Sequence, residues 1–587
     1  MTNQEIAKLL KNVATAYTIK DENKFRFQII AYLRAADTIG NLSGELQDYY
    51  YDNKLSQLPG IGKTLKDHFT ELFKTGKVSH FDWAIKGIPE SVFVLTDIPG
   101  FGPKTAFRLA HEFNLKNPES AISDLEKLAH EGKIATLEGF GEKSQADIIR
   151  SIEEFKQGKG KTTRMTLPYA FEISERIIDY LKQNPAVLQV NALGSLRRRS
   201  PTVGDIDIAV ASNEPKLVLE HFVNYPSLER IIEKGDVSAS ILVSGGRQID
   251  LLIQPENSYG SLLQHFTGSK NHNVHLREYA LKKGLSLSEY GIKTIKTKKI
   301  SIFSNEDDFY HALDLDWIPP ELREDQGEIE LAKQHKLPQL IELKDIKGDL
   351  HLHSNFPIEP SHDLGSDNME AMLNKAKELN YEYVGFAEHN PSQSKHDEGA
   401  IYDLIARRNE NIEHIKTSNY NVRIFKLLET DILPNGELAI GNKSLEILDG
   451  TIVSIHSLFS LNKTDMTKRV IAGLSHQKAK ILAHPTGRML NIRNGYQLDW
   501  EQIFEFCNKY RKALEINSWP GRLDLGDGLI KLALESNVPL IIDSDSHAVA
   551  QMDVQKYGVF MARRGWATKH DILNTLGYNK FAEWLKS

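Results

Sequence analysis

The chain has 587 residues, 40% of them hydrophobic and 26% charged, with a formal net charge of −7. At roughly 150 residues per domain, this length predicts about four units of ordinary globular composition. The acidic balance excludes a protein that binds polyanions through bulk positive charge, so any nucleic-acid contact must be local. No apolar run approaches the ~20 residues that span a bilayer. The N-terminal residues read as an amphipathic helix and not a signal peptide. Cys507 is the single cysteine, which predicts no intrachain disulfide and fits a reducing cytoplasm.

Residues 1–80 read as helices: NQEIAKLLKNVATAY and FRFQIIAYLRAADTI both carry apolar side chains at helical spacing. LPGIGKTLKDHFTELFKTG (58–76), IPGFGPKTAFRLAHEF (98–113) and a weaker LEGFGEKSQADIIRSI (137–152) then repeat one pattern, a hydrophobic-x-Gly-hydrophobic-Gly turn before a helix. Gly60, Gly62, Gly100 and Gly102 can take positive φ and leave backbone N–H groups outward, and the helix start adds more. Such N–H groups hold a phosphate without reading base sequence; the plainer alternative is a glycine cap at a tight turn. KQGKGKTTR (156–164) reads as a linker.

From about 165 to 256, strand-like runs alternate with helices. LGSLRRRSPTVGDIDIAV (193–210) places a turn and hydroxyl at Gly194 and Ser195 and positive charge at Arg197, Arg198 and Arg199. Asp205 and Asp207, two apart, share a strand face. Asp250, in RQID, supplies a third strand carboxylate. Three carboxylates suit two Mg²⁺ or Mn²⁺ ions, which prefer oxygen ligands shared with substrate phosphates. In HFTGSKNHNVHLREYALKKGLSLSEYGI (265–292), His272 and His275 stand at helical spacing; lacking an acid nearby in sequence, they read as solvated helix histidines rather than metal ligands. WIPPELREDQGEIELAKQHKLPQLIEL (317–343) reads as a connector with a docking role.

From 346 onward, short apolar strands alternate with helices, and strand after strand stops at a histidine or an acid. KGDLHLHSNF carries His351 and His353 on one face; later ends carry His389, Glu429, His456, His484, Asp545 and His547. In a parallel β/α barrel, strand C-termini converge on one face. Mixed imidazole and carboxylate ligands suit Zn²⁺ or Mn²⁺.

The hairpin segments resemble helix-hairpin-helix DNA-binding motifs, and the first ~320 residues resemble the family X DNA polymerases. That resemblance implies metal ligands at Asp205, Asp207 and Asp250, with Asp250 polarising the primer 3′-hydroxyl. It implies triphosphate contacts from Gly194, Ser195 and Arg198, and a sugar pocket shaped by Phe266 and Gly268. Asn273 would reach the base edge and Arg277 would lie against the template side. Vertebrate repair members carry a Schiff-base lysine six residues after the second hairpin glycine; here that residue is His68, which argues against lyase activity. His265 likewise replaces their tyrosine before Phe266.

Residues 346–587 resemble the PHP (polymerase and histidinol phosphatase) domain, whose site holds up to three ions. The resemblance implies a further acidic ligand after the first histidine pair. Asp363 is the first choice and Asp367 the second, because SNFPIEPSHDLGSDN is an expanded loop. Glu388 stands where the family usually has an aspartate, and Arg488, Arg522 and Arg564 are candidate phosphate contacts.

The expected architecture is therefore multidomain α/β. Residues 1–85 and 86–160 form helical DNA-binding units, 161–258 a nucleotidyltransferase palm with a mixed sheet, and 259–320 a thumb-like subdomain. Residues 321–345 form a linker and 346–587 a (β/α) PHP-type barrel. The expected function is gap-filling DNA repair synthesis by a bacterial-type polymerase, with a 3′–5′ exonuclease, AP-endonuclease or 3′-phosphoesterase in the last domain. Gapped or primed double-stranded DNA and deoxynucleoside triphosphates are the expected partners of a cytoplasmic, nucleoid-associated monomer without a membrane contact. The alternatives are a polymerase fused to a small-molecule phosphatase and a DNA-binding scaffold with decayed catalysis.

Overall fold

The computed structural model describes residues 1–587 except 41, 43–45, 52, 59, 99–100, 159–163, 245 and 418–420. The chain divides into two compact units, residues 1–163 with 244–246, and residues 164–243 with 247–587.

The described part of the first stretch is helical. Helix α1 (Asn3–Asp21) begins at Thr2, whose hydroxyl accepts from the Glu5 N–H while the Glu5 carboxylate accepts from the Thr2 N–H, a reciprocal capping box. Helix α2 (Lys63–Thr75) is capped by Gly62, and helix α3 (Pro103–Glu112) by Gly102 with proline at its first position, where a missing N–H costs nothing. The first glycine of the first and third repeats turns as expected, Gly60 and Gly139 taking φ of +75° and +79°, whereas Gly62 and Gly102 keep extended backbone at φ −77° and −71° as helix caps and do not use positive φ. Gly100 lies outside the described residues. Helix α4 (Glu142–Gly158) follows the third repeat. His68, on α2, is partly buried in an aromatic stack, its ring 6.4 Å from Tyr32 and 5.0 Å from His80.

The second unit opens with a mixed sheet of β1 (Gln189–Ala192), β2 (Ile206–Ala211), β3 (Leu228–Lys234), β4 (Ser238–Val243) and β5 (Arg247–Gln254). Their order is β1-β2-β5-β4-β3; β2 and β5 pair parallel and the other pairs are antiparallel. Helix α5 (Leu167–Leu181) buries Leu167, Ala170, Ile173, Ile177 and Leu181 in the core that this sheet shares. A short helix, α6 (Gly194–Arg197), follows β1, and helices α7 (Tyr259–Thr267) and α8 (Lys270–Lys282) follow β5.

The segment expected to be a linker is built into the fold. Arg323 is fully buried, donating to the Ile318 carbonyl at 2.8 Å and to Glu306 at 2.6 Å. Glu328, also buried, sits 2.6 Å from His272 Nδ1, and the other ring nitrogen lies 3.0 Å from the Tyr310 hydroxyl. This corrects the reading of His272 as a solvated helix histidine, for its acidic partner comes from 56 residues further along the chain. His275 remains partly exposed and pairs with Asp325 at 2.8 Å.

The C-terminal strands are all parallel. β6 (Gly348–Leu352), β7 (Tyr383–Phe386) and β8 (Arg423–Lys426) form one sheet. β9 (Glu429–Asp431), β10 (Thr451–Ser454), β11 (Ala479–Leu482), β12 (Ala513–Asn517) and β13 (Leu540–Asp543) form a second. The ladders do not run on into one closed barrel among the described residues; the sheets meet through single bridges, Leu352 with Ser546 and His389 with Glu429. At the first seam carboxylates replace ladder bonds: Asp543 accepts from the Leu350 N–H at 2.8 Å and Asp349 from the Ser544 N–H at 3.1 Å. Helices α9 (Asp527–Glu535) and α10 (Gln555–Arg564) pack outside. Phe171 of α5 lies against Tyr557 and Phe560 of α10, at 6.1 and 5.6 Å between ring centres, so one apolar core runs through both sheet systems. No described helix is long and apolar enough to cross a membrane.

Candidate functional site

On the mixed sheet, the parallel register pairs Asp207 directly with Asp250. Directly opposed residues project to the same face, and Asp205, two residues before Asp207, joins them. Burial, with the neighbouring carboxylates of Asp250 and Asp205, pushes Asp207 up to about 6. Crowded like charges of this kind are what a divalent cation relieves. Ser240, on the antiparallel neighbour β4, donates to Asp250, and Gln248 donates to it at 3.0 and 3.1 Å. Gly194 takes φ of +55°, and a Cβ there would come 3.3 Å from Asp207 Oδ2, so the turn crosses close over the carboxylates. Ser195 follows in the first turn of α6.

The three consecutive arginines separate in role. Arg197 is a bidentate partner of Glu306 at 2.9 and 2.6 Å, and so serves packing. The Arg199 guanidinium lies 4.6 Å and 4.5 Å from the rings of Phe171 and Phe560, so its charge is spent on packing. Arg198 sits against the main chain of the α7–α8 turn: it donates to the Thr267 carbonyl at 2.6 Å, and a Cβ on Gly268 would approach its Nη1 to 3.1 Å, while Arg197 reaches the Thr267 hydroxyl at 2.5 Å. Phe266, at the end of α7, is 39% exposed and available for stacking. Asn273 is held by Gln264 at 2.9 Å and donates to the His265 carbonyl at 2.7 Å, while Arg277 is exposed on α8.

The second cluster is denser and buried. His351, His353, His389, Glu429 and His484 are each at most 4% exposed. Glu429 stands at the centre: Oε2 lies 3.1 Å from His351, 3.5 Å from His353 and 3.1 Å from His389, and Oε1 lies 2.9 Å from His484 and 3.5 Å from His456. Asp545 reaches His353 at 3.4 Å and His351 at 3.7 Å. Asp363, from the expanded loop, stands 3.2 Å from His389 and 3.3 Å from His547. Asp367 instead braces the loop, accepting from the Val549 N–H at 2.7 Å.

Groups of ligand atoms within 4.8 Å of one another form at His351, His353, Glu429 and Asp545; at His389, Glu429 and His456; and at His353, His389 and His547. The donor set fits divalent metal. His351 Nε2, both nitrogens of His353, His389 Nδ1, Glu429 Oε2 and His547 Nε2 are buried without a hydrogen-bond partner among the described residues. Opposite charges lie at 3.1–3.5 Å from several of these atoms without an aligned hydrogen bond, and a cation would supply the missing partner. Two of the residues also hold left-handed backbone, His484 at φ +30° and Asp545 at φ +57°, a strain of order 1–3 kcal/mol that gathers at functional sites. Burial opposes charge at His389, yet Glu429 and Asp363 outweigh it and raise its pKa to about 9; burial and Arg522 drive His484 down to about 3.

Sequence reasoning missed the residues that aim these ligands. Glu515 lies 2.6 Å from His351 Nδ1 and accepts from the His484 N–H at 2.5 Å. Asp431 lies 2.7 Å from His456 Nδ1 and 3.1 Å from His362 at the rim. Glu515 was findable, since it is an acid inside an apolar strand, but its role depends on a partner 164 residues away. Glu388 turns from the cluster to Arg408 at 2.6 Å and to Ser354. Arg522 stays nearby, 3.8 Å from Asp545, and Arg488 donates to the backbone carbonyls of Arg522 and Leu523. Arg564 is absent from the cluster and bonds Asp527 of its own half together with Glu324 and the Arg198 carbonyl.

Residues 1–78 match the helix-hairpin-helix domain family and residues 262–324 the DNA polymerase beta thumb family. The chain is 32% identical over 588 residues to the DNA polymerase/3′-5′ exonuclease PolX of Bacillus subtilis (strain 168), covering 100% of both chains. It is 22% identical over 311 residues to DNA polymerase lambda of Rattus norvegicus, covering 49% of each chain. The match to DNA polymerase lambda of Arabidopsis thaliana is 25% over 320 residues, 49% of this chain and 54% of that one.

Proposed function

The chain belongs to the family X DNA polymerases, and from that premise we propose how its two sites divide the work. Residues 1–85 and 86–160 grip duplex DNA through the hairpin turns. Residues 161–258 form the palm, 259–320 the thumb, 321–345 the docked connector, and 346–587 a PHP phosphoesterase whose two sheets derive from an opened barrel. The enzyme fills short gaps in DNA during repair in the bacterial cytoplasm, as a monomer on a gapped or primed duplex.

In nucleotidyl transfer, the primer 3′-hydroxyl attacks the α-phosphate and pyrophosphate leaves. Divalent cations, Mg²⁺ or Mn²⁺ at Asp205, Asp207 and Asp250, supply Lewis-acid stabilisation of the charge that builds on phosphoryl oxygens. Asp250 faces the primer terminus, polarises its hydroxyl, and is itself steadied by Ser240. Gly194 and Ser195 receive the triphosphate, Arg198 adds positive charge, and the turn at Phe266 and Gly268 shapes the sugar pocket. The observation that carries this reading is the strand pairing that sets Asp207 beside Asp250 under the Gly194 turn.

In the PHP half, water adds to the phosphorus of the terminal nucleotide and the bond to the preceding 3′-oxygen breaks. The products are a nucleoside monophosphate and a shortened primer. His351, His353, Asp363, His389, Glu429, His456, His484, Asp545 and His547 hold up to three Mn²⁺ or Zn²⁺ ions. Arg522 at the rim steers the scissile phosphate.

The test is a gapped duplex with a labelled primer, incubated with and without nucleotides. Wild-type protein extends with nucleotides and trims without them. Asp250→Ala should lose extension and keep trimming, and His353→Ala the reverse. Extension by Asp250→Ala at the wild-type rate would sink the palm assignment. Trimming by His353→Ala, or hydrolysis of small monoesters with the primer left intact, would sink the exonuclease.

A further inference from the structure

Arg564 closes helix α10 in the PHP half, yet its Nη1 reaches across to the polymerase half. Its Nη1 donates to the backbone carbonyl of Arg198 at 2.8 Å and to Glu324 Oε1 at 2.9 Å. Its Nη2 donates to Asp527 of α9 at 2.5 Å, and its side chain is 6% exposed. Glu324 Oε1 is the same oxygen that accepts from Arg198 Nε at 3.0 Å. Two guanidinium groups therefore share one carboxylate, and the PHP arginine also holds the main chain of the polymerase arginine. Arg198 completes its bonding at the Thr267 carbonyl, one residue before Gly268.

From this geometry we infer that Arg564 is a positioning residue for nucleotide binding in the polymerase site, supplied by the PHP half. The inference rests on the reading of Arg198 as the triphosphate-binding arginine. The physical argument concerns charge and orientation together. Arg198, Arg564, Glu324 and Asp527 sum to zero, so Glu324 is divided between two cations. Without Arg564, Glu324 binds Arg198 alone and neutralises the charge meant for the incoming triphosphate. The Arg198 carbonyl also loses its donor, which loosens the turn that aims the side chain. Asp527 anchors Arg564 within the PHP half, so the constraint comes from a rigid element and not from a free side chain. Arg563, the adjacent residue, bridges the same boundary but to Glu321 at 2.8 Å and the Ile341 carbonyl at 2.9 Å, without reaching Arg198.

The experiment is steady-state gap filling by the full chain, varying deoxynucleoside triphosphate. Arg564→Ala should raise KM for the nucleotide about five- to tenfold, the low end of coupling between sites, with kcat nearly kept and primer trimming at the wild-type rate. Arg564→Lys, which retains the charge, should recover most of the loss, as should Glu324→Gln combined with Arg564→Ala. Arg563→Ala, cutting the same boundary, should leave KM unchanged. Thermal unfolding of each variant confirms that it folds. Equal rises in KM for the Arg563 and Arg564 variants would overturn the proposal, because loosening of the boundary alone would then explain both. Arg198→Ala separates the premise from the inference. If it raises KM and Arg564→Ala does not, only the inference fails. If Arg198→Ala leaves KM unchanged, the reading of Arg198 fails and takes the inference with it.

Discussion

The two carboxylate-bearing clusters of this chain, both candidates for metal, are built on opposite electrostatic plans. The palm gathers three carboxylates with no cationic side chain bonded to them among the described residues, and burial, with the neighbouring carboxylates, pushes Asp207 up to about 6. The PHP cluster is a web of alternating charge in which Glu429 touches five histidines. A palm of this kind binds cations best when the triphosphate arrives to share them, because phosphate oxygens complete the shell. A web of buried imidazoles offers nearly all the ligands from protein and suits ions that stay between turnovers. Cations in the first are therefore expected to come with substrate, and in the second to reside.

The largest test of that contrast falls on Glu429, the shared carboxylate. Glu429→Gln keeps the shape but removes the charge facing five imidazoles. Trimming should fall by about a thousandfold or more, given the loss of a ligand common to several positions. Metal counted by mass spectrometry in the purified protein should fall with it, while gap filling stays at the wild-type rate. A variant that retains its full metal content would break the view of Glu429 as the hub.

A smaller effect is expected one layer out. Glu515 lies 2.6 Å from His351 Nδ1 and thereby leaves Nε2 to face the cluster. Glu515→Gln should weaken metal affinity or trimming about 10- to 100-fold, the usual cost of losing a carboxylate that orients a metal-ligating histidine. Added Mn²⁺ should restore part of the activity. No recovery at high metal would mean that Glu515 acts on the chemistry itself and not through His351.

How much of this was legible in the sequence differs between the sites for the same physical reason. Asp207 and Asp250 sit on strands and Asp205 just before one, and GDID with RQID announces them locally. The histidines and acids expected as ligands fall, Asp363 apart, at the ends of apolar strands, so a pass along the chain picks them out one by one. What a linear pass cannot find is a partner from far away. His272 looked solvated because Glu328 is not close in sequence, and Arg564 looked like a hydrolase residue because its neighbours in sequence are. The closed barrel was expected from alternating strands and helices, a pattern that does not specify where Asp349 and Asp543 replace ladder bonds at a seam. Asp363 and Asp367 lie in one irregular loop without periodicity, and only the three-dimensional path puts Asp363 between His389 and His547.

The smallest effect returns to the palm. Ser240 lies on a different strand from all three carboxylates, and its hydroxyl donates to Asp250. Asp250 is the carboxylate proposed to polarise the primer hydroxyl, so its orientation matters more than its charge alone. Ser240→Ala removes one hydrogen bond to a charged group, worth about 1.5–3 kcal/mol when fully expressed. Gln248 still donates to both oxygens of Asp250, so much of that loss is absorbed. The expected result is a fall in kcat of about three- to tenfold, with KM for the nucleotide unchanged, because Ser240 acts on the primer side and not on the triphosphate. A rise in KM without a fall in kcat would place Asp250 with the nucleotide-bound cation instead, and would redraw which carboxylate serves which end of the reaction.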